Sequence, residues 1–432
     1  MGEGGDVFAA RAARLAPSCP RPLTERDGTA ARAGRPASGR GAESGGGEAD
    51  ADVVDPSGRY AYSGPKVGSR HESVYRPAGL PLPLESALSA IEITELLGDG
   101  IGPELAESVH AVADSLPVDF VFSEVDWSLE TRETKGDAAI DEAEESMRRT
   151  KLAVKYPTVT KTRSPNALIR RRCDFSVIYR PAISIKGIHS NFKENVNLHI
   201  VRIATGGTYD DPGQLIGKEA AVSLRMVERT PCRQAARFAF DLARKKGMTY
   251  GDSHYSMTSS SKHTIQRVTD GLFEAVVAEV HEEFSDVEHH VELFDALLAK
   301  IIIDPSAYEV VLVLNEYGDF LSDMASGLVG SLGTGASGNY SFDADDKVDI
   351  AMFDPAGGTA PDIAGKNIAN PAAVLLAFGM LLDHVDRYDL GHALRLSLLG
   401  AIEDGRSTRD LGGKLNTDEF TQAVIDGIPA HL

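Results

Sequence analysis

Cysteine, membrane-length apolar runs and positive charge are what this 432-residue chain has least of. Its three cysteines, Cys19, Cys173 and Cys232, are odd in number and far apart. They form neither a metal-ligand spacing nor a disulfide framework, which points to a reducing compartment. No apolar run reaches the length of a bilayer span, so a membrane is not expected as a partner. Lysine and arginine number 44 against 64 aspartate and glutamate, a formal net charge of −20. That balance argues against nucleic acid or a membrane surface as the main business. An anionic small molecule stays open, provided the fold builds a local basic pocket for it. What the chain does have is length and apolar content: at 42% hydrophobic it suits two to three domain-sized units with a sizeable core.

Residues 1–88 are dominated by Gly, Ala, Ser, Pro and Arg without a sustained hydrophobic period, which predicts a disordered extension. Within it, Val7 to Leu15 has the Arg-rich amphipathic character of an organelle transit peptide, opposed by Glu3 and Asp6. The two readings place the protein in the cytoplasm or in the mitochondrial matrix. Asp6 also stands where a myristoylation signal wants Ser or Thr. Order is expected from Ile91, where Ile91 to Leu97 reads as a strand. The turn Gly98-Asp99-Gly100 and a helix opening near Pro103 follow it. The third glycine of a dinucleotide fingerprint would fall on Pro103, so that motif fails. The turn either offers backbone N–H groups to a phosphate or ribose, or is simply a tight strand-to-helix connection.

Further along, Val310 to Leu314 is a short uninterrupted apolar run, as expected of a strand buried on both faces. The pattern then changes period. Asp319 and Asp323 are four apart and share one face of a helix beginning near Tyr317. Two carboxylates one turn apart repel each other unless a cation sits between them, and hard oxygen donors suit Mg²⁺ or Mn²⁺. A solvated acidic helix start explains the pair equally well. Arg170, Arg171 and Arg172, with Arg180 ten residues on, read either as a solvated face or as clamps for carboxylates. Arg233 to Lys246 has helical spacing ending at Gly247, and Lys262 lies on a Ser/Thr-rich loop before a helix expected from Thr264.

Gly98 to Glu104, the run Thr359 to Pro371 and the closing Thr408-x-Asp410-Leu411-Gly412-Gly413 together resemble the isocitrate and isopropylmalate dehydrogenase family. These are metal-dependent β-decarboxylating dehydrogenases, and the similarity runs from about residue 90 to the end. The resemblance implies an α/β fold with a large domain of 89–175 and 330–432, a small domain of 176–207 and 228–329, and a dimer clasp at 208–227. A central cleft would hold the active site. Ser164, Asn166, Arg170, Arg180 and Arg202 fall on the positions that bind the tricarboxylate. Ser164 and Asn166 favour the isocitrate branch. Tyr209 and Lys262 fall on the catalytic acid and base, and Asp295, Asp319 and Asp323 on the ligands of Mg²⁺ or Mn²⁺. Thr160, Gly358, Thr359, Ala360, Asp362, Ile363 and Asn370 fall on the cofactor side. Asp362 and Ile363 match the NAD-using members. A carboxylate there accepts a hydrogen bond from a ribose hydroxyl but repels the extra phosphate of NADP. At ~4 Å and an effective dielectric of ~20 the repulsion is roughly 4 kcal/mol per unit charge.

In the family the lysine and one aspartate come from a second subunit, so a homodimer with shared sites is the expected assembly. Several positions depart from the pattern. Ile203 and Ala204 replace Glu and Asn, His263 and Thr264 replace a small residue and Asn, Asp354 replaces Glu and Gly357 replaces His. These departures keep open isopropylmalate, homoisocitrate or another 2-hydroxy-3-carboxy acid as substrate, and also a non-catalytic regulatory subunit.

Overall fold

The computed structural model describes residues 90–161, 163–188, 196–250, 255–330 and 332–432, and the extension with its targeting reading lies outside them. Strand β1 (Ile91–Leu97) runs into the glycine turn, and helix α1 (Gly102–Ser115) follows with Pro103 in its first turn, where a missing N–H costs nothing. Gly100 has φ +61, and a Cβ there would collide with the Thr359 carbonyl, so only glycine fits this approach. Strand β2 (Phe120–Asp126), helices α2 (Leu129–Lys135) and α3 (Asp137–Thr150), and strand β3 (Leu152–Lys155) come next. Helix α4 (Pro165–Arg172) is N-capped by Ser164, whose hydroxyl oxygen accepts the Ala167 N–H at 3.3 Å.

Strands β4 (Val177–Ile183) and β5 (Asn197–Ile203) pair antiparallel. A small exposed hairpin of β6 (Gln214–Ile216) and β7 (Ala220–Val222) is closed at its base by the Gly207–Met226 pairing. Helix α5 (Arg229–Tyr250) begins earlier and ends later than the expected 233–246. Pro231 suits its first turn, and an internal Gly247 costs only about 1 kcal/mol relative to Ala. Strand β8 (Met257–Ser261) precedes helix α6 (Thr269–His281), which starts five residues after the expected Thr264. The intervening chain turns on itself, with Ile265 and Gln266 N–H groups both donating to the Lys262 carbonyl at 2.9 Å.

Strand β9 (His289–Leu293), helix α7 (Phe294–Ile303), strand β10 (Val310–Val313) and helix α8 (Asn315–Leu328) complete this half. Helix α8 opens two residues before Tyr317, because Gly318 N–H already closes on the Leu314 carbonyl at 2.8 Å. Strands β11 (Ala336–Phe342) and β12 (Val348–Pro355) lead to helices α9 (Ala372–His384), α10 (Tyr388–Glu403) and α11 (Thr417–Gly427).

Ten strands form one mixed sheet in the order β2-β1-β3-β12-β11-β4-β5-β10-β8-β9. The quartet β2, β1, β3, β12 is parallel, and so is the quartet β5, β10, β8, β9. Antiparallel pairings of β12 with β11, β11 with β4 and β4 with β5 make three reversals, so the quartets run in opposite senses. Side chains alternate between the two faces. Ile93, Val154, Val201, Leu312 and Phe353 join one large apolar cluster on the first face. On the opposite face the apolar residues split in two. Leu96, Ala153 and Met352 pack with α3 and α4, whereas Ile200, Val311 and Val313 pack with α7 and α8. The gap between these two clusters is where the fold leaves room for polar chemistry.

Candidate active site

Five consecutive strands in the sheet each send a polar side chain into that gap: Lys155 from β3, Asp354 from β12, Asn339 from β11, Arg180 from β4 and Arg202 from β5. Lys155 Nζ lies 3.1 Å from Asp354 Oδ2, both buried. The Asn339 amide donates to Asp354 Oδ1 at 3.1 Å, and the Ser337 hydroxyl reaches the same atom. Burial alone would lift the Asp354 carboxyl. The Lys155 ammonium and the Ser337 hydroxyl outweigh it and hold the group below its ordinary value. Arg170, reaching in from α4, donates from Nε to Asn339 Oδ1 at 3.1 Å. Burial pulls its guanidinium down to about 10, with Asp354 opposing and Arg202 and Arg180 adding to the fall. A cation depressed by neighbouring cations is a group that an anion would relieve.

Helix α8 supplies the acidic side. Asn315 accepts from Arg202 Nε at 3.1 Å and from Nη2 at 2.8 Å, fixing the guanidinium plane, and Arg202 Nη1 ion-pairs with Asp319. Arg180 Nη1 donates to the Ser322 hydroxyl oxygen at 2.8 Å and lies 3.9 Å from both Asp319 and Asp323. The Tyr209 hydroxyl donates to Asp319 Oδ2 at 3.1 Å. Burial first, then the Asp319 charge, raises the phenol's pKa, so Tyr209 keeps its proton. Asp319, Ser322, Asp323 and Arg180 line one cavity. The structure therefore brings together Arg170, Arg180, Arg202, Tyr209, Asp319 and Asp323. Asn166, on the first turn of α4, buries its side-chain oxygen without a partner.

Lys262 and Asp295 form a separate pair, Nζ to Oδ1 at 2.5 Å, just beyond the carboxyl ends of β8 and β9. The hydrogen bond from Lys262 holds the Asp295 carboxyl below its usual value. Among the described residues no three acidic, His or Cys side chains gather closely enough to hold a metal. Asp319 and Asp323 nevertheless give a divalent cation two hard oxygen donors facing one cavity, a donor set that fits Mg²⁺ or Mn²⁺ once a third carboxylate is added.

Of the residues expected on the cofactor side, Thr160 and the 358–363 loop follow the carboxyl ends of β3 and β12, beside the glycine turn at the end of β1, the position where open α/β sheets take ligands. Asp99 Oδ2 accepts the Val159 N–H at 2.7 Å and Arg132 Nη2 at 2.9 Å, tying the segment that carries Thr160 to the glycine turn. Ile101 N–H donates to the Thr359 carbonyl at 3.0 Å, which joins the turn to the 356–363 loop. Gly357, Gly358 and Asp362 are exposed, and a Cβ at either glycine would meet only open space. That open face fits an extended dinucleotide. Asn370 is already engaged, donating to Asp410 at 2.8 Å and the Gly333 carbonyl at 3.3 Å. Ile363 and Ala360 pack against the core. The sequence assigns no role to Lys155 or Asn315, which open the stretches 155–160 and 315–323, and does not single out Ser337 or Asn339. Each is an ordinary polar residue on a strand or helix start until the sheet order sets it beside the arginines.

The family described as isocitrate/isopropylmalate dehydrogenase matches residues 92–424. The chain is 33% identical over 366 residues to the mitochondrial NAD isocitrate dehydrogenase subunit 2 of Schizosaccharomyces pombe, covering 82% of this chain and 92% of that one. It is also 33% identical over 348 residues to the mitochondrial NAD isocitrate dehydrogenase subunit alpha of Bos taurus, covering 77% and 89%. Among solved structures, isocitrate dehydrogenase from Methylococcus capsulatus is similar at TM-score 0.68 and 31% identity, over 78% of this chain and 99% of that one.

Proposed function

Because the chain belongs to the isocitrate/isopropylmalate dehydrogenase family, we propose that it oxidises isocitrate with NAD and releases CO₂, giving 2-oxoglutarate and NADH. The observation that carries this reading is the clustering of Arg170, Arg180 and Arg202 with Asp319, Asp323 and Tyr209. Three guanidinium groups suit a tricarboxylate, and Asp319 and Asp323 suit a cation that would draw the arginines' attention away from them. Arg180 and Arg202 are each within reach of Asp319, so substrate carboxylates and cation arriving together would satisfy both signs of charge.

When bound, Mg²⁺ or Mn²⁺ held by Asp319 and Asp323, with the partner subunit's Asp295, supplies Lewis acidity at the substrate hydroxyl and adjacent carboxylate. NAD supplies the hydride acceptor. This chain's own side chains do the rest. Arg170, Arg180 and Arg202 orient the substrate, with Ser164 and Asn166 at the third carboxylate. The partner subunit's Lys262 accepts the hydroxyl proton, and Tyr209 returns a proton to carbon after CO₂ leaves. Asp362 favours NAD over NADP through charge. Shared sites require a homodimer, for which the exposed hairpin 208–227 is the proposed clasp, and the large and small domains are those expected above. The relatives' mitochondrial names support residence in the matrix.

The test is NADH formation in the presence of Mg²⁺ or Mn²⁺, with isocitrate, isopropylmalate and homoisocitrate offered in parallel and NADP as cofactor control. Turnover of isocitrate with NAD, lost in Asp319→Asn, is expected. Silence with every substrate in a folded dimer would sink the reading and favour a regulatory subunit, to which the departures at Ala204 and Gly357 would then belong.

A further inference from the structure

Lys262 and Tyr209 sit on separate loops, and a half-buried arginine stands between the carboxylates that hold those loops. Asp270, fully buried on α6, accepts the Lys262 backbone N–H at 2.7 Å and the Tyr317 hydroxyl at 3.3 Å. It is also ion-paired with Arg225, on the segment leaving the hairpin. Arg225 Nε lies 3.7 Å from Glu316 Oε1. Glu316, buried in the first turn of α8, accepts the backbone N–H of Thr208, the residue before Tyr209. Gly207, at φ +71, has no room for a Cβ because the same carboxylate occupies it. Nη2 of Arg225 and Oε2 of Glu316 are each buried with no hydrogen-bond partner of their own. The cluster is therefore held by few and specific contacts. Arg225 also lies over the Tyr317 ring at 5.1 Å, and Tyr317 stacks at 4.4 Å on Phe294, the residue before Asp295.

We propose that Arg225, set between Asp270 and Glu316, is a positioning residue that couples the Lys262 loop to the Tyr209 loop. This rests on the reading of Lys262 and Tyr209 as base and acid. In that reading the two side chains of one chain serve different sites, the tyrosine its own and the lysine its partner's. The cluster then links the two active sites of a dimer through the interior of each subunit, and a shift at one Tyr209 loop is transmitted to the lysine delivered next door.

The experiment is amide hydrogen exchange on the full-length protein. Glu316→Gln touches only the Tyr209 side, yet exchange is expected to quicken ~10-fold both at 206–209 and at 261–266. Asp270→Asn, which holds the Lys262 loop directly and makes no contact with residues 206–209, is expected to do the same in reverse. Arg225→Met should loosen both loops and Arg225→Lys should restore them in part. Acceleration confined to the loop that each substituted side chain touches would overturn the coupling. Exchange in β10 reports whether a variant is globally folded. For one that is not, Arg225→Lys decides, by intermediate loosening of both loops or of one alone. Steady-state kinetics in parallel are expected to show a lower kcat with KM for isocitrate little changed. Exchange needs no turnover, so a silent wild type would remove the proposed activity while the exchange result still decides the link.

Discussion

Asp319 serves three groups in one carboxylate: an ion pair with Arg202, a hydrogen bond from Tyr209 at 3.1 Å, and proximity to Arg180 at 3.9 Å. A single side chain in three roles makes its neighbours separable by substitution. Tyr209 has a raised pKa from burial and from the Asp319 charge, so it enters any proton transfer as a donor. Tyr209→Phe keeps the ring under the Arg202 guanidinium, 5.8 Å away, and removes only the hydroxyl with its proton. Its expected effect is a fall in kcat of ~10²-fold or more, with KM for isocitrate within a few fold. A parallel rise in KM without loss of kcat, measured by steady-state kinetics, would make the hydroxyl a binding group instead.

At the scale of elements, the carboxyl ends of strands carry the site, and their packing carries a titratable contact of its own. Glu95 on β1, fully buried, accepts the Tyr156 hydroxyl at 2.7 Å and lies 2.9 Å from His110 Nε2 on α1. The hydrogen bond to Glu95 raises the pKa of His110 above its ordinary 6.5, outweighing partial burial. A histidine whose folded value is raised stabilises fully below its unfolded value and loses that contribution as pH climbs through the folded one. The melting temperature of the wild type should therefore exceed that of His110→Gln most at about pH 6, and the gap should shrink by about pH 9. A gap independent of pH would show that the ring acts only by packing against Phe122, at 4.4 Å.

Elements also mark how far the sequence could be read. The strand Ile91–Leu97, its glycine turn and the buried run Val310–Val313 were legible because their signals are local: periodicity, Pro103 and an unbroken apolar stretch. The arginines and α8 carboxylates were legible through family resemblance. The polar stripe was not, since Lys155, Asn339 and Asp354 lie up to two hundred residues apart and only the order β3-β12-β11-β4-β5 makes them neighbours. The start of α6 and the ends of α5 were misplaced for a related reason. A helix is expected from Thr264, yet the Lys262 N–H is already committed to Asp270, which fixes a turn there.

At the scale of the whole molecule, the proposed roles leave an inconsistency that a second copy would resolve. Lys262 and Asp295 pair with each other, while Asp319, Asp323 and Tyr209 gather around Arg180 and Arg202. On the proposed roles, one chain would hold two incomplete halves of a site. Apolar side chains stand exposed on the hairpin and beside the Lys262 loop: Leu215 at 77%, Leu224 at 74%, Ile265 at 71% and Val268 at 85%. A two-fold dimer would bury such surfaces and bring one chain's Lys262 and Asp295 to the other's α8. Mixing tests this directly. Lys262→Met and Asp319→Asn are each expected to be inactive as homodimers. In a heterodimer of the two, one site inherits both substitutions and the other inherits neither. Random reassociation makes half the dimers hybrid, each with one intact site, so activity is expected to return to about one quarter of wild type. Sites built within single chains would give no recovery at any mixing ratio, and native mass spectrometry of the mixture would show whether hybrids had formed.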